Sequence, residues 1–449
     1  MISKKPLFHI TGEKGWINDP NGIVKFQGKY HVFYQHHPYS CVWGPMHWGH
    51  VVSDDLIHWT YLPYALVPGD ECDKDGCFSG TSLVVDDTLY IVYTGFILNK
   101  EDERYNIQQQ CLAYSKDGIH FTKLGAILTS KDLPDEYLSC DFRDPKLTFK
   151  DGYYLLFAAA KKKTGGGSIL LYKSKDLKNW KFVNDILTHN SEGGMIECVD
   201  YHEDLNLLIY SEQDFPSDNN HCLNIHSCEY EIGELNKEGK FISRGDKTLL
   251  DYGFDFYAPQ VMNDDHYLIA WLDMWDRNNP SEKYGFAGML TIPRKVTVKD
   301  NKLLQEPVLL KHKVKEVEVK DTYLDKLSVG IIKLDVQDLE ALDIKLRVGK
   351  DEVTKFYLEN NEFIFDRSKS GEPIFGAEQD EYSLKGIRKM PFDRKDNNVI
   401  YLVLDKYSVE IFVNGISMSN LIYPNDNSDG FELKIKAKST KFKIYSDEK

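Results

Sequence analysis

The chain has 449 residues and a formal net charge of −15. This length exceeds the limit of about 250 to 300 residues for one hydrophobic core, so we expect two domains or a repeat array with an appended domain. The acidic balance argues against nucleic acids and anionic membranes as partners, and no apolar run of about 18 residues predicts a transmembrane helix.

The N-terminal region and the cysteines predict the cellular compartment of the protein. The segment MISKKPLFHITGEKG has no apolar stretch typical of a secretion signal. The eight cysteines lie between residues 41 and 228, and neither they nor the histidines have the paired spacing typical of a metal site. We therefore expect a cytoplasmic protein with free thiols, no metal and no cofactor.

The stretch GWINDPNG, residues 15–22, is either a turn or part of a site. Asp19 is followed by Pro20, Asn21 and Gly22, which are residue types typical of turns. Turn chemistry alone therefore explains the stretch. However, a second Asp-Pro pair begins at Asp144 in FRDPK, and this repetition calls for a common structural frame.

Aromatic-ended apolar segments recur along the first two thirds of the chain. They are HVFY from 31, YIVY from 90, YLLF from 154, LLIY from 207 and YLIA from 267, at intervals of 53 to 64 residues. Each follows an earlier apolar stretch and a turn cluster, which is the pattern of a β-hairpin. An interval of about 60 residues accommodates four short strands, so the repeat predicts a five-bladed β-propeller over residues 1–305.

The rest of the chain has a different pattern. The repeat stops after LLQEPVLLKHKVKEVEV, where the charge density rises, and we expect a linker over residues 306–324. Short alternating strands such as KLSVGIIKLDV, NVIYLVLD and FELKIKA follow. They predict a β-sandwich over residues 325–449, so the fold class is all-β, a five-bladed β-propeller followed by a C-terminal β-sandwich.

Polar residues occupy a shared phase of the repeat. Asp19, Ser79, Asp144, Glu197 and Asp255 lie 10 to 12 residues before the successive aromatic-ended segments. Since the first strands of propeller blades line the central channel, these side chains are expected to meet at one mouth. Crowded carboxylates repel one another, which favours a functional pocket, and two or three acids without a metal ligand set indicate glycoside hydrolysis.

Several aromatic residues are candidates for contact with a sugar ring. They are Trp43, Trp48, Phe78, Trp271 and Trp275. Flat apolar faces suit a sugar ring, but packing inside the blades explains each of them equally well.

Six ordered motifs resemble those of glycoside hydrolase family 32. These are GWINDPNG, WGPMHWGH, GCFSG, FRDPK, IEC and DFYAPQ, and the resemblance extends to SVEIFVNG near the C-terminus. The resemblance implies a five-bladed propeller with a C-terminal sandwich, in agreement with the repeat.

The resemblance also implies catalytic roles. Asp19 matches the family's nucleophile, Glu197 its general acid/base and Asp144 its transition-state stabiliser. Two neighbours depart from the family pattern, since Ile17 replaces the usual methionine and Val199 a frequent proline. Neither departure is expected to touch one of the three acids, so activity is still expected, with a reshaped pocket edge.

Further residues are candidates for substrate binding. The positions that match the family's fructose pocket are Asn18, Gln35, Trp43, Phe78, Ser79 and Arg143. To these we add Asp255 from the shared phase, Tyr257 from DFYAPQ, and Trp275.

The implied activity is retaining hydrolysis of terminal β-D-fructofuranosides through a covalent fructosyl-enzyme. A cytoplasmic enzyme meets imported and often phosphorylated sugars, so sucrose 6-phosphate or sucrose is the expected substrate. Exo-acting hydrolysis of fructo-oligosaccharides, inulin or levan, fructosyl transfer, and sugar binding without catalysis are the alternatives. The expected partner is a small-molecule sugar, and the expected assembly is a monomer or a homodimer.

Overall fold

The computed structural model describes residues 4–189, 194–217, 223–310, 313–319 and 321–447. In these ranges the regular secondary structure consists almost entirely of β-strands. The first twelve are β1 (Gly15–Phe26), β2 (Lys29–His37), β3 (His47–Ser53), β4 (Thr60–Leu66), β5 (Gly76–Val85), β6 (Thr88–Ile97), β7 (Ile107–Ser115), β8 (Thr122–Leu128), β9 (Tyr137–Lys150), β10 (Tyr153–Lys162), β11 (Gly167–Ser174) and β12 (Trp180–Thr188).

The remaining strands follow in the same order. The next ten are β13 (Ile196–His202), β14 (Leu207–Gln213), β15 (His226–Leu235), β16 (Phe241–Ser243), β17 (Thr248–Leu249), β18 (Tyr257–Val261), β19 (Tyr267–Trp271), β20 (Phe286–Ala287), β21 (Arg294–Lys299) and β22 (Lys302–Pro307). The last twelve are β23 (Lys313–Val317), β24 (Thr322–Lys326), β25 (Gly330–Gln337), β26 (Ala341–Val348), β27 (Val353–Glu359), β28 (Glu362–Lys369), β29 (Ile387–Pro391), β30 (Asn397–Asp405), β31 (Ser408–Val413), β32 (Ile416–Leu421), β33 (Gly430–Lys436) and β34 (Ser439–Ser446). Short 3₁₀ helices span Glu103–Tyr105, Pro280–Tyr284 and Ser383–Lys385.

The strands up to β22 form the five blades of a β-propeller. Their orders are β20-β1-β2-β3-β4, β5-β6-β7-β8, β9-β10-β11-β12, β13-β14-β15-β16 with β17 also beside β15, and β18-β19-β21-β22. β20 comes from the chain of the fifth blade but pairs in parallel with β1, which ties the last blade to the first. The innermost β1 is buried at nearly every position, whereas the outer β8 alternates between exposed and partly buried residues, as a strand facing solvent on one side does.

Each innermost strand breaks its pairing with the second strand at an equivalent place. The register shifts lie between Ile17 and Pro20, Phe78 and Gly80, Arg143 and Lys146, Glu197 and Asp200, and Tyr257 and Gln260. In three of them a non-glycine residue adopts a positive φ: 56° at Asp144, 50° at Cys198 and 50° at Ala258. Because a bulge redirects the side chains around it, this shared irregularity aims one or two residues per blade into the channel.

The strands from β23 onward form two six-stranded sheets. Their orders are β23-β34-β25-β30-β31-β32 and β24-β33-β26-β27-β28-β29, and the buried side chains between them make the largest hydrophobic cluster. This sandwich confirms the predicted fold class. The predicted linker contains β23 and the start of β24, which pair with β34 and β33. Their charged residues belong to exposed edge strands, so this segment lacks the apolar alternation that predicts a strand. The domain limits stay a prediction.

No helix in the described ranges is both long enough and apolar enough to span a membrane.

Candidate active site

A cavity of about 620 Å³ opens where the five innermost strands begin. The predicted residues that line it are Asn18, Asp19, Gln35, Trp43, Phe78, Ser79, Arg143, Asp144, Glu197, Tyr257 and Trp275. They come from all five blades, and the register shifts described above point most of them inward. The cavity is therefore the candidate active site.

The Asp19 carboxylate is buried and receives hydrogen bonds on both oxygens. Ser79 Oγ donates to Oδ2 at 2.5 Å, and Asn18 Nδ2 donates to Oδ1 at 3.0 Å. Asn18 is fixed in turn by the indole N–H of Trp16 at 2.9 Å. Burial raises the pKa of Asp19 above its ordinary value, against the two hydrogen bonds, which lower it, and with a further rise from the Glu197 charge. An ionised Asp19 is thus a poorly solvated carboxylate held in one orientation, as a nucleophile requires.

Glu197 lies in a different environment. Arg143 Nε donates to its Oε1 at 2.9 Å, and the phenol of Tyr257 donates to Oε2 at 2.7 Å. Arg143 is itself held by Asp141, whose Oδ1 lies 2.9 Å from Nη1. Arg143 and Tyr257 both donate to Glu197, so each of its oxygens is oriented by a neighbour from another blade.

Asp144 and Asp19 share the thiol of Cys198. The sulfur lies 3.6 Å from Asp19 Oδ2 and 3.6 Å from Asp144 Oδ2, and the Cys198 backbone N–H donates to Asp144 Oδ2 at 3.0 Å. Burial and the Glu197 charge raise the pKa of Asp144 to about 7, although Arg143 opposes the rise. One thiol proton thus serves two carboxylates, and burial raises the pKa of Cys198 well above its ordinary value, which keeps this proton in place.

Two aromatic groups form the walls of the cavity. Trp43, which is 46% exposed, meets Phe78 edge-on at 5.8 Å. On the other side Trp275 stacks on Trp16 at 5.8 Å, and its buried indole N–H has no hydrogen-bond partner among the described residues. These flat apolar surfaces suit the apolar faces of a sugar ring.

Two of the aromatic candidates lie behind the cavity instead. Trp48 and Trp271 are fully buried within the blades. Trp48 donates its indole N–H to the Phe78 carbonyl at 3.0 Å, so it supports the wall without facing the cavity.

The placement of Asp255 in the pocket is wrong. Its carboxylate is fully buried and receives hydrogen bonds from Arg277, from Arg367 and from the Leu421 backbone, away from the cavity. The residue of the innermost strand β18 that faces the cavity is Tyr257, which precedes the register shift just as Glu197 does in β13. The position of a residue relative to the bulge, and not its type, decides whether its side chain points inward. An acid near the shared phase of the repeat therefore need not face the cavity.

Several lining residues were not predicted. They are Glu103, Arg104, Asn106, Gln108, Leu138, Cys140 and Asp141. Glu103, Arg104 and Asn106 belong to or follow the short 3₁₀ helix between β6 and β7, and loop residues carry no repeat signal. Asp141 and Gln108 contact Arg143 through its Nη1. The available sequence signal for them was Arg143 itself, because a buried arginine requires acidic or polar partners.

One group of possible metal ligands lies outside the cavity. His202, Asp204 and His266 offer ligand atoms within 4.8 Å of one another. His202 Nε2 already contacts Asp200 at 2.9 Å and lies 3.3 Å from the Lys146 ammonium, whose charge opposes a cation there. The expectation of no metal stays a prediction.

Comparison with known proteins identifies the family. Residues 9–307 match the model of the glycosyl hydrolases family 32 N-terminal domain, and residues 297–446 match that of the family 32 C terminal. The chain belongs to glycosyl hydrolase family 32. It is 36% identical to a sucrose-6-phosphate hydrolase of Escherichia coli, over 93% of this chain and 89% of that protein.

Two further comparisons agree. The chain is 35% identical to a sucrose-6-phosphate hydrolase of Zymomonas mobilis, over 94% of this chain and 88% of that protein. The solved structure of sucrose-6-phosphate hydrolase from Lactobacillus gasseri is similar with a TM-score of 0.88 and 26% identity, and the match covers 98% of this chain and 93% of that one. The predicted family is therefore confirmed.

Proposed function

We propose that the protein hydrolyses terminal β-D-fructofuranosides with retention of configuration, and that sucrose 6-phosphate is its first substrate and sucrose its second. The relatives named sucrose-6-phosphate hydrolase support the substrate class. The observation that carries the mechanism is the contrast between two carboxylates in one cavity. Asp19 is fixed by neutral donors, whereas Glu197 is held by a guanidinium and a phenol.

In the first step Asp19 attacks the anomeric carbon C2 and forms a fructosyl ester. Glu197 protonates the glycosidic oxygen, so that the glucosyl part leaves as an alcohol. In the second step Glu197 removes a proton from water, which attacks C2 and releases Asp19. Two displacements at C2 restore the original configuration.

Asp144 assists without forming a bond to the sugar. It accepts hydrogen bonds from ring hydroxyls while positive charge develops at C2, and its negative charge stabilises that transition state. Arg143 keeps Glu197 in place and neutralises part of the acidic cluster.

Hydrolysis of fructo-oligosaccharides and fructosyl transfer to a sugar use the same ester intermediate. Analysis of the reaction products therefore distinguishes these two alternatives from sucrose hydrolysis. We place the enzyme in the cytoplasm, which agrees with the seven free cysteines among the described residues. Its assembly is a monomer or a homodimer.

The test distinguishes the roles of Asp19 and Glu197 by the different defects that their alanine variants should show. Glu197→Ala should lose roughly 10² to 10⁴ in rate on sucrose, where the leaving oxygen needs a proton, but should retain much of the first step on an activated aryl fructoside. Azide needs no general base, so it should restore turnover and give a β-fructosyl azide. Asp19→Ala cannot form the ester and should fail with both leaving groups.

Glu101→Gln is the matched control, since Glu101 is an exposed acid that does not line the cavity. It should keep kcat on every substrate. Identical responses of the Asp19 and Glu197 variants to the aryl leaving group and to azide would disprove the assigned roles. Comparison of kcat/KM for sucrose, sucrose 6-phosphate and kestose decides the substrate.

A further inference from the structure

Two cavity residues of the fifth blade are anchored from behind. Tyr257 and Trp275 line the cavity, and each lies two positions from a buried charge, Asp255 and Arg277. Arg277 Nη1 donates to Asp255 and, at 2.9 Å, to the Phe254 carbonyl. The segments that carry Tyr257 and Trp275 are therefore joined by an ion pair on the side away from the substrate.

The sandwich supplies the other half of this anchor. Arg367 of β28 donates through Nη1 to Asp255 Oδ2 at 2.7 Å and to the Leu421 carbonyl at 3.1 Å. Glu378, which follows β28, lies 3.1 Å from Arg277 Nη2 and 3.4 Å from Arg367 Nη2. Asp255 and Glu378 thus each bind one arginine of the propeller and one of the sandwich.

A third arginine and a phenylalanine complete the cluster. Arg388 of β29 donates to Asn224 and to the Gly253 carbonyl. The guanidinium carbons of Arg367 and Arg388 lie 3.8 and 4.6 Å from the centre of the buried Phe254 ring. Three arginines and two carboxylates thus form one buried network, in which Arg277 and Arg367 share both carboxylates and the loss of either arginine removes one of the two partners of Asp255.

We propose that Arg367 is a positioning residue of the active site, through which the sandwich holds Tyr257 against Glu197. Arg367 fixes Asp255, Asp255 fixes the start of β18, and Tyr257 in β18 donates to Glu197 Oε2 at 2.7 Å. The sandwich then completes the acid/base arrangement from behind. This inference rests on the proposed function, in which Glu197 is the acid/base.

A second buried cluster joins the same two parts of the molecule and provides the control. Arg294 of β21 lies 3.3 Å from Asp251 and pairs with Glu410 of β31. All three residues are buried, but none lines the cavity. Glu410 contacts His9, the Ile292 backbone N–H and Arg294, but neither Asp255 nor Arg367. Its substitution therefore removes ionic contacts between propeller and sandwich and leaves the pairing of Arg367 with Asp255 in place.

The experiment compares Arg367→Met with Glu410→Gln, each with and without Tyr257→Phe. Arg367→Met should lower kcat for sucrose or sucrose 6-phosphate by about 10- to 100-fold, because a displacement of about 1 Å costs up to about 100-fold. The loss should be much smaller with an activated aryl fructoside, which needs little protonation. Arg367→Lys, which keeps one charged donor, should recover part of the rate.

The double variants show whether Arg367 acts through Tyr257. In the Tyr257→Phe background, the fold-loss in kcat caused by Arg367→Met should be less than half of that in the wild-type background. The reason is that the hydrogen bond from Tyr257 to Glu197, which Arg367 positions, is already absent. Glu410→Gln should lower the unfolding midpoint but leave the ratio of the rates on the two leaving groups unchanged. Its effect on kcat should be the same in the wild-type and Tyr257→Phe backgrounds. If Arg367→Met does not fold, Glu378→Gln replaces it with the same expectations in a milder form.

Equal losses on both leaving groups, or full multiplication of the Arg367 and Tyr257 effects, would overturn the inference while the wild-type enzyme still hydrolyses fructosides. Absence of fructose release by the wild type would instead overturn the proposed function.

Discussion

Asp144→Asn should make the protein more stable at pH 8 while it inactivates the enzyme. Asp144 is 6% exposed, and burial together with the Glu197 charge raises its pKa to about 7. An aspartate in an unfolded chain titrates near pH 3.9, so the folded state binds this proton more tightly. The stabilising effect of the protonated group is complete below about pH 4 and is lost as the pH rises through about 7.

The size of the effect follows from the shift. A rise of about 3 pKa units corresponds to roughly 4 kcal/mol by which the ionised Asp144 destabilises the fold at pH 8. Asparagine removes the charge and can still accept the Cys198 N–H bond, but its amide N–H groups are left without assigned partners. We therefore expect a net gain of about 2 to 4 kcal/mol at pH 8 and little gain at pH 4.

Urea denaturation of wild type and Asp144→Asn at pH 4, 6 and 8 measures this difference. The control is Asp176→Asn, an exposed aspartate whose pKa is held below its ordinary value by the backbone N–H groups and side chain of the following loop. Its substitution should lower stability at pH 8. The reasoning is refuted if Asp144→Asn lowers the midpoint at pH 8, or if its gain does not increase with pH. Fructose release by this variant should fall by roughly 10² or more, because a group that stabilises developing charge is lost.

Three further predictions concern other parts of the molecule. Tyr257→Phe should lower kcat on sucrose by roughly 10- to 100-fold with little change in KM, since a hydrogen bond to a charged group is lost; an unchanged kcat would contradict the role of this phenol. Trp43→Ala should raise KM by about 5-fold and leave kcat unchanged, because Trp43 only covers the mouth of the cavity. A fall in kcat without a rise in KM would contradict this placement. Burial lowers the pKa of His9, but its bonds to Asp405 and Glu410 outweigh burial and raise the pKa to about 9. Its stabilising effect is complete below about pH 6.5 and is lost as the pH rises through about 9. The urea midpoint of wild type should therefore fall more steeply between about pH 6.5 and 9 than that of His9→Gln, in which only the contributions of other groups such as Asp144 remain.

The positions of the three acids could be predicted, but their chemical environments could not. Asp19 and Asp144 occur in matched Asp-Pro pairs, and Glu197 holds the same phase of the repeat. The hydrogen bonds that distinguish them come from other blades, such as Ser79 to Asp19 and Tyr257 to Glu197. Contacts between segments 60 residues apart leave no trace in local sequence patterns.

The prediction for the fifth blade shows where the repeat fails as a guide. Asp255 has nearly the right phase and the right chemistry, yet it pairs with Arg277 and Arg367. A phase read from aromatic segments is uncertain by one or two residues, and in a strand a shift of one residue reverses the direction of the side chain. Only the register of β18 against β19 decides that Tyr257 faces the cavity.

The sequence by itself determined the repeat, the number of blades, the appended sandwich and the family, because alternation, turn residues and fixed motifs are local properties of the chain. The tertiary structure decided which phased residue enters the cavity, which loop residues line its rim, and how Arg367 of the sandwich reaches the active site from behind. The physical reason is that side-chain direction depends on bulges, and buried charges depend on partners brought from distant segments by packing.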